Sequence, residues 1–353
     1  MTQESKTWML YGANGFTGKL IAKEAKRRGM SVVLAGRTLD KIKPLAEELN
    51  LPYEIFSLSS IETIKEKIGN CRLVLLCAGP FSKTSTPMVK ACLELGIAYL
   101  DITGEIEVLD NVLSLDKEAK KRGSVLIPGV GFDVVPSDCL AKILGDNLPG
   151  ASELTLAFSG EATLSPGTTK TMVENLPKGG KIRREGKLKS IPAFSLFREI
   201  PFGRTSVFCN AIPWGDVASA YYSTQIPNIT VYVPTPRWVG LFKNPIKVIA
   251  PILAHQKVQN FLMNQIDKRV KGPSEEQQKK SRMLLWGEVK STKSKKVASL
   301  EVPEGYHLTM LTALASVEKV LMGEVSPGSY TPSMAFGSRF IEEFTDKPIS
   351  IQE

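Results

Sequence analysis

The segment Trp8-Met9-Leu10-Tyr11-Gly12-Ala13-Asn14-Gly15-Phe16-Thr17-Gly18-Lys19-Leu20-Ile21-Ala22-Lys23-Glu24-Ala25-Lys26 decides the fold of this chain. Its first four residues are an apolar run of the length of a buried strand, and its last eight are good helix formers. Between them stand three glycines at G-x-x-G-x-x-G spacing, where the usual dinucleotide fingerprint has G-x-G-x-x-G. Three glycines in a loop also mark an ordinary tight turn. The strand before and the helix after select the phosphate reading. Glycine lets a pyrophosphate approach the backbone, and the helix offers it free N–H groups and the positive end of its dipole. Gly12, Asn14, Gly15, Phe16, Thr17 and Gly18 are therefore candidate cofactor contacts.

Strand and helix patterns continue to alternate outward from this turn. Residues 31–35, 53–58, 72–77, 98–102 and 124–128 read as further strands, with helices between them. One of these helices is expected from Met88 to Leu95, started by Thr86-Pro87 and stopped by Gly96. Residues 72–77 are continuously apolar, as suits a parallel strand covered on both faces. The fold class is α/β, with a Rossmann-type doubly wound parallel sheet. After a helix at 137–144 the pattern changes. Strands are expected at 153–158, 206–210, 218–224, 229–233, 283–290 and 297–302, and helices at 168–176, 247–270 and 308–322. This reads as a second, α+β domain with a largely antiparallel sheet. Residues 179–190 read as a mobile basic loop.

The strand ends carry the chemistry. Arg37 follows the second strand, about twenty residues past Gly18, where NAD-binding proteins commonly place an acid for the ribose hydroxyls. A carboxylate would repel a 2′-phosphate and an arginine pairs with one, so NADP is expected over NAD. An arginine that stacks on adenine without choosing is the other reading. Ala78, Gly79 and Pro80 end the fourth strand, and their small size lets a cofactor pass close to the backbone. Thr103 and Glu105 end the fifth strand, and Phe132 and Asp133 follow the sixth, on the edge where such sheets bind ligands. These four are the substrate candidates, although Asp133 reads equally as structural. The catalytic group stays unknown. Lys83, Asp133 and Tyr222 are the candidates, with Tyr306 and His307 as further donors. Hydride transfer asks mainly for positioning, so a missing acid–base motif does not exclude an enzyme.

Composition sets the frame. With 353 residues, 42% hydrophobic and 23% charged, the chain can bury two ordinary cores. The N-terminus has no apolar signal core, which predicts no cleaved leader and a cytoplasmic location. Five cysteines without a C-x-x-C pair suit a reducing compartment. Two histidines argue against a histidine metal site, and no metal is expected. The net charge of +9 comes from lysine clusters without interleaved aromatics, which disfavours nucleic acid and suits anions or an acidic membrane surface. Residues 238–254, from Trp238 to Ala254, are apolar with two lysines. They read either as a core or dimer-contact helix or as a peripheral membrane contact.

Taken together, Gly12-Ala-Asn-Gly-Phe-Thr-Gly18, Ala35-Gly-Arg37, Ala78-Gly-Pro-Phe81, Tyr99-Leu-Asp-Ile-Thr-Gly-Glu105 and Gly131-Phe-Asp-Val-Val-Pro-Ser-Asp138 resemble the saccharopine dehydrogenase-like oxidoreductases, in the branch that includes trans-acting enoyl reductases. Later segments such as Ile212-Pro-Trp-Gly-Asp-Val217, Trp286-Gly-Glu288 and Tyr330-Thr-Pro-Ser333 agree. The resemblance implies a Rossmann domain over 1–136 and a substrate and dimerisation domain over 137–325. It further implies that residues 326–353 return to the Rossmann domain, and that the chain is a homodimer. The expected activity is NADP-dependent hydride transfer to a C=C, C=N or C=O bond of a small-molecule or acyl substrate. The alternatives are trans-acting enoyl reduction of carrier-bound or lipid-like acyl chains, and a non-catalytic NADP-binding scaffold at a membrane surface.

Overall fold

The computed structural model describes residues 7–160, 164–175, 179–203, 205–242, 255–270 and 272–352. The chain divides into two compact units, Met1–Val135 with Tyr306–Gly337, and Pro136–Gly305 with Ser338–Glu353.

The first unit opens with six strand–helix repeats. The strands are β1 (Trp8–Tyr11), β2 (Val32–Gly36), β3 (Tyr53–Ile55), β4 (Leu73–Leu76), β5 (Ala98–Asp101) and β6 (Val125–Ile127). Between them run α1 (Phe16–Arg27), α2 (Leu39–Leu49), α3 (Ile61–Ile68), α4 (Phe81–Leu95), α5 (Ile106–Leu113) and α6 (Asp116–Arg122). Along β1, successive side chains alternate between the two faces of the sheet. Trp8 and Leu10 join Ile21, Ala25, Ile42 and Leu45 of α1 and α2. Met9 and Tyr11 join Ile64, Met88, Val108 and Ala119 of α3 to α6. Each such leucine or isoleucine, fully buried, contributes roughly 1.5–3 kcal/mol. The expected start of α4 at Met88 is corrected. The helix begins at Phe81 and carries Pro87 inside it.

The second unit contains α7 (Val135–Asn147), β7 (Glu153–Gly160), α8 (Pro166–Asn175), β8 (Gly180–Arg184), β9 (Lys187–Ile191), β10 (Phe197–Phe202), β11 (Thr205–Ile212), α9 (Asp216–Thr224), β12 (Asn228–Pro234), α10 (Gln256–Arg269), α11 (Glu275–Lys280), β13 (Arg282–Lys290) and β14 (Lys295–Pro303). Two expectations are corrected here. Residues 218–224 form α9, not a strand. Its small residues Ala218, Ser219, Ala220 and Ser223 make a buried helix face. The supposed loop at 179–190 is the hairpin β8–β9. Its turn residues Glu185 and Gly186 both have positive φ, 52° and 73°, the conformation that matches strand twist. Glutamate seldom adopts it, so the turn carried no sequence signal. The expected apolar stretch at 238–254 lies outside the described residues from 243 onward, and Trp238 itself is 60% exposed.

The chain then runs through α12 (Gly305–Leu321), β15 (Gly328–Ser329), α13 (Pro332–Phe336) and β16 (Ser350–Gln352). The expected boundary at 325/326 is corrected. Most of α12 already belongs to the first unit, because the face formed by Leu75, Leu100 and Ile127 would otherwise be bare. Ala313, Leu314, Val317 and Leu321 cover it. The final segment does not stay there: β16 pairs with β14. The first sheet thus has the order β15-β6-β5-β4-β1-β2-β3, with every pair parallel. The second follows β10-β11-β12-β7-β13-β14-β16, antiparallel except for β12–β7. At about 4.8 Å per strand, a flat sheet would keep β10 well away from β13. Arg198 of β10 nevertheless donates to Glu288 of β13 at 2.6 Å, so this sheet curls strongly. Among the described residues, no helix is long and apolar enough to cross a membrane.

Candidate cofactor and substrate site

Four glycines at the first sheet's carboxyl edge, Gly12, Gly15, Gly18 and Gly79, fall into two classes. Gly12 has φ +89°, and a Cβ on it would lie 2.7 Å from the Ala78 nitrogen. A Cβ on Gly18 would lie 2.4 Å from the Gly12 oxygen, because α1 packs directly on the turn. These two are glycine for the sake of the fold. Gly15 and Gly79 are not. Neither has positive φ. A Cβ on Gly15 would meet only the Gly12 oxygen at 3.3 Å, and one on Gly79 only the Phe81 ring at 3.8 Å. Gly15 is the N-cap of α1, which has no side-chain cap and no acid in its first turn. The first-turn N–H groups of α1 have no intrahelical acceptors. The cradle is thus open and electropositive where a pyrophosphate would bind. Phe16 packs edge-on against Tyr306 of α12, with ring centroids 4.9 Å apart.

Arg37 stands exposed just past β2. Burial pushes the Tyr11 hydroxyl up to about 12, and the Arg37 charge opposes that rise. The Tyr11 hydroxyl donates to the Phe56 oxygen at 2.9 Å. Asn14 leans on the end of β2, its Oδ1 3.2 Å from where a Cβ on Gly36 would be.

Past β4, Ala78-Gly79-Pro80 runs into α4, with a cis bond between Gly79 and Pro80. The Thr84 hydroxyl donates back to the Ala78 oxygen at 2.6 Å. Two of the substrate candidates have hydrogen-bond partners within the fold at this point. The Glu105 carboxylate accepts the Phe81 and Ser82 N–H groups at 2.8 and 2.9 Å. It caps α4, which explains why that helix starts early. Thr103 is fully buried, and its hydroxyl accepts the Glu105 N–H at 3.1 Å. Both residues build the edge from within. Lys83 is exposed on the first turn of α4. Tyr222 belongs to α9 of the second unit, edge-on to Tyr221. His307 is half-buried on α12.

Asp101 is the residue that sequence reasoning passed over. Its fully buried carboxylate accepts the Tyr99 hydroxyl at 2.6 Å and the Thr103 and Gly129 N–H groups at 2.9 Å each. Burial outweighs these bonds and pushes its pKa up to about 6. The available signal was an acid ending an otherwise apolar strand two residues after a tyrosine. From the other side, the Thr309 hydroxyl accepts the Phe132 N–H at 3.0 Å, and the Thr312 hydroxyl donates to the Val130 oxygen at 2.8 Å. The loop at 129–133 is therefore held by both β5 and α12. It aims Asp133 at Gly104, where a Cβ would lie 2.8 Å from Asp133 Oδ2. Burial pushes the Asp133 carboxyl up to about 7 while its side chain keeps some exposure. Such a group can gain or lose a proton near neutrality. The cysteines do not compete for that role. All five are free, and burial raises the Cys71 and Cys209 thiols to about 11.

A candidate trans-acting enoyl reductase of Mycobacterium tuberculosis is 31% identical over 182 residues, covering 48% of this chain and 43% of that protein. The trans-acting enoyl reductase of Mycobacterium ulcerans is 33% identical over 140 residues, covering 37% and 33%. The aligned part thus spans less than half the length of these relatives. The saccharopine dehydrogenase (L-Glu forming) of Saccharomyces cerevisiae matches 98% of this chain and 99% of its own at TM-score 0.66 and 12% identity. The homospermidine synthase of Legionella pneumophila matches 99% and 91% at TM-score 0.60 and 9% identity. At those identities the likeness is one of fold. Residues 8–127 match the family described as saccharopine dehydrogenase NADP binding domain. The chain thus resembles the saccharopine dehydrogenase-like proteins in its first 127 residues by sequence and over nearly its whole length by fold.

Proposed function

We propose that this chain is an NADP-dependent oxidoreductase that transfers hydride between its cofactor and a C=C, C=N or C=O bond. The bound dinucleotide supplies the hydride. The protein's own residues bind, orient and balance charge. The glycine turn and the N-terminus of α1 hold the pyrophosphate, Arg37 holds the 2′-phosphate, and Ala78-Gly79-Pro80 lie along the nicotinamide half. Asp133 adds the proton that balances the hydride. With a pKa of about 7 it is protonated in a substantial fraction of molecules at neutral pH. Lys83 and Tyr222 stand behind it as candidates. The observation that supports this reading best is the pair Gly15 and Gly79, two glycines that the fold itself does not require.

Within this class, reduction of the C=C bond of an enoyl thioester is the narrower reading, supported by the mycobacterial relatives. The substrate would then be a carrier-bound or lipid-like acyl chain. Exposed Trp238, Phe261 and Met172 support an apolar contact on the second unit, with a second copy of the chain as the proposed partner. The test is loss of NADPH fluorescence with an enoyl thioester, a cyclic imine and an aldehyde offered in turn. Tight NADPH binding without turnover of any class would favour a non-catalytic scaffold. For the cofactor, Arg37→Asp should weaken NADPH at least about tenfold, since a charged hydrogen bond contributes about 1.5–3 kcal/mol, and leave NADH nearly unchanged. Equal loss for both would sink the 2′-phosphate role of Arg37.

A further inference from the structure

The cations on α1 and α2 are unequally partnered. Lys23 pairs with Glu48 at 3.3 Å, Arg27 and Arg28 with Glu24 at 2.6 and 2.9 Å, and Lys43 with Glu47 at 3.7 Å. Glu24 is held down at about 2 by its arginines. Lys19 and Lys41, on the same two helices, have no ion-pair partner among the described residues, and neither has Arg37. A lone exposed lysine means nothing. These two line one groove of about 520 Å³ together with Asn14, Asp40 and the Lys23–Glu48 pair.

The groove adjoins the cofactor end of the sheet. Asn14 is part of the glycine turn and leans on Gly36, the residue before Arg37. Ile42, the neighbour of Lys41, packs on the same glycine, its Cδ1 2.8 Å from where a Cβ would be. The groove's charges do not cancel. Lys23 meets Glu48, and Asp40 lies in the first turn of α2, where the helix dipole favours an acid. Lys19 and Lys41 are left facing Asp40 alone, so the groove's three lysines and two acids sum to one positive charge. That net positive charge, next to the exposed cation Arg37, attracts an anion.

We propose that Lys41 and Lys19 complete, with Arg37, a clamp for the 2′-phosphate of the dinucleotide, so that cofactor choice rests on three cations. This deepens the cofactor reading above and depends on it. Because the lysines are exposed, each contact is partly screened and weaker than a buried one.

The experiment compares Lys41→Ala, Lys19→Ala, the double variant and the wild-type chain. Dissociation constants are measured for NADPH and NADH, and for the fragments 2′,5′-ADP and 5′-AMP, at low and high salt. Each single variant should weaken NADPH and 2′,5′-ADP by about 3–10-fold, and the double variant by more, with NADH and 5′-AMP unchanged. The selectivity of the wild type should fall as salt rises, and more steeply than that of the double variant. Unchanged NADPH binding in the double variant, while Arg37→Asp loses it, would overturn the clamp and leave Arg37 acting alone. Equal weakening of phosphorylated and unphosphorylated ligands would also overturn it. If the wild type itself does not prefer NADPH to NADH, the cofactor reading fails first, and that result is visible without any variant.

Discussion

A glycine substituted by alanine should do opposite things at Gly18 and Gly15, three residues apart in one turn. At Gly18 the new methyl would sit 2.4 Å from the Gly12 oxygen and 2.9 Å from the Ala13 Cα, both rigid backbone. Overpacking of that kind costs about 1–3 kcal/mol, only partly offset by the roughly 1 kcal/mol that alanine gains over glycine inside a helix. Since the clash is with backbone, the upper part of that range applies, and a net loss of about 1–2 kcal/mol is expected. For a unit of this size that lowers Tm by roughly 2–8 °C. At Gly15 the methyl meets one atom at 3.3 Å, and φ −69°, ψ 168° suits alanine. The small steric cost is met by the reduced freedom of the unfolded chain, about 0.4–1 kcal/mol, so Tm should barely move. The Gly15 methyl would, however, stand between the α1 N–H groups and a pyrophosphate. Losing one charge-assisted bond there means about a tenfold or greater loss of NADPH affinity. Thermal melts and NADPH titrations on both variants decide the matter. Gly15→Ala binding NADPH like the wild type, or melting as early as Gly18→Ala, would refute the division of the glycines into folding and binding classes.

Three further outcomes follow from single interactions. Asp101 keeps its proton to about pH 6 when folded, against 3.8 in the reference state, so its stabilising contribution is full below about pH 4 and is lost as pH rises through 6. Asp101→Asn keeps an acceptor for both N–H groups and should flatten urea-melt stability by roughly 3 kcal/mol between pH 4 and 8; a parallel pH profile would contradict the assignment. Glu105→Ala should cost about 1–2 kcal/mol as a lost helix cap and speed amide exchange at Phe81 and Ser82, whereas Glu105→Gln should cost less. In the second unit, Arg198→Ala leaves Glu288, 5% exposed, to Lys290 alone at 3.0 Å, so about 2 kcal/mol should be lost in melts, and Glu288→Leu added to Arg198→Met should recover most of it.

The parts of this fold that a sequence shows are those made by neighbours in the chain. The glycine turn and the apolar strands β1 and β4 are local patterns, and each stands in the structure as the residues suggest. The parts that stayed hidden are made across long separations. Glu105 caps a helix 24 residues earlier, and nothing near Phe81 announces it. The Ala-Ser-Ala-Tyr-Tyr run at 218–222 has strand-like residues, yet it becomes a helix because its small side chains fit a buried face. The return of α12 to the first sheet depends on a bare apolar face that exists only once six strands are paired. The carboxylate edge was legible as a place, and the roles within it were not. Thr103 and Glu105 read as substrate candidates by position, and their hydrogen bonds give them a part in the framework that position does not show.

That framework has a consequence for Asp133. A loop of glycines, Gly129-Val130-Gly131, has no local reason to hold one conformation. Here it is fixed from two sides: by the Asp101 carboxylate and backbone oxygen, which take the Gly129 and Val130 N–H groups at 2.9 and 2.8 Å, and by Thr309 and Thr312 of α12. Only then does Asp133 stay packed on Gly104 with its pKa near 7. The last long helix therefore does more than cover the sheet. It also carries Tyr306, which packs on Phe16 of the glycine turn, so one helix braces both the phosphate cradle and the loop of the proposed proton carrier. Loosening α12 at Thr309 should disturb Asp133 without touching Arg37 or the groove beside it. Thr309→Val removes the acceptor for Phe132 N–H at nearly constant volume, and it should increase amide exchange across 129–133 while NADPH affinity holds. Loss of NADPH binding in that variant would mean that the two corners of the site are one cooperative unit rather than two independently braced ones.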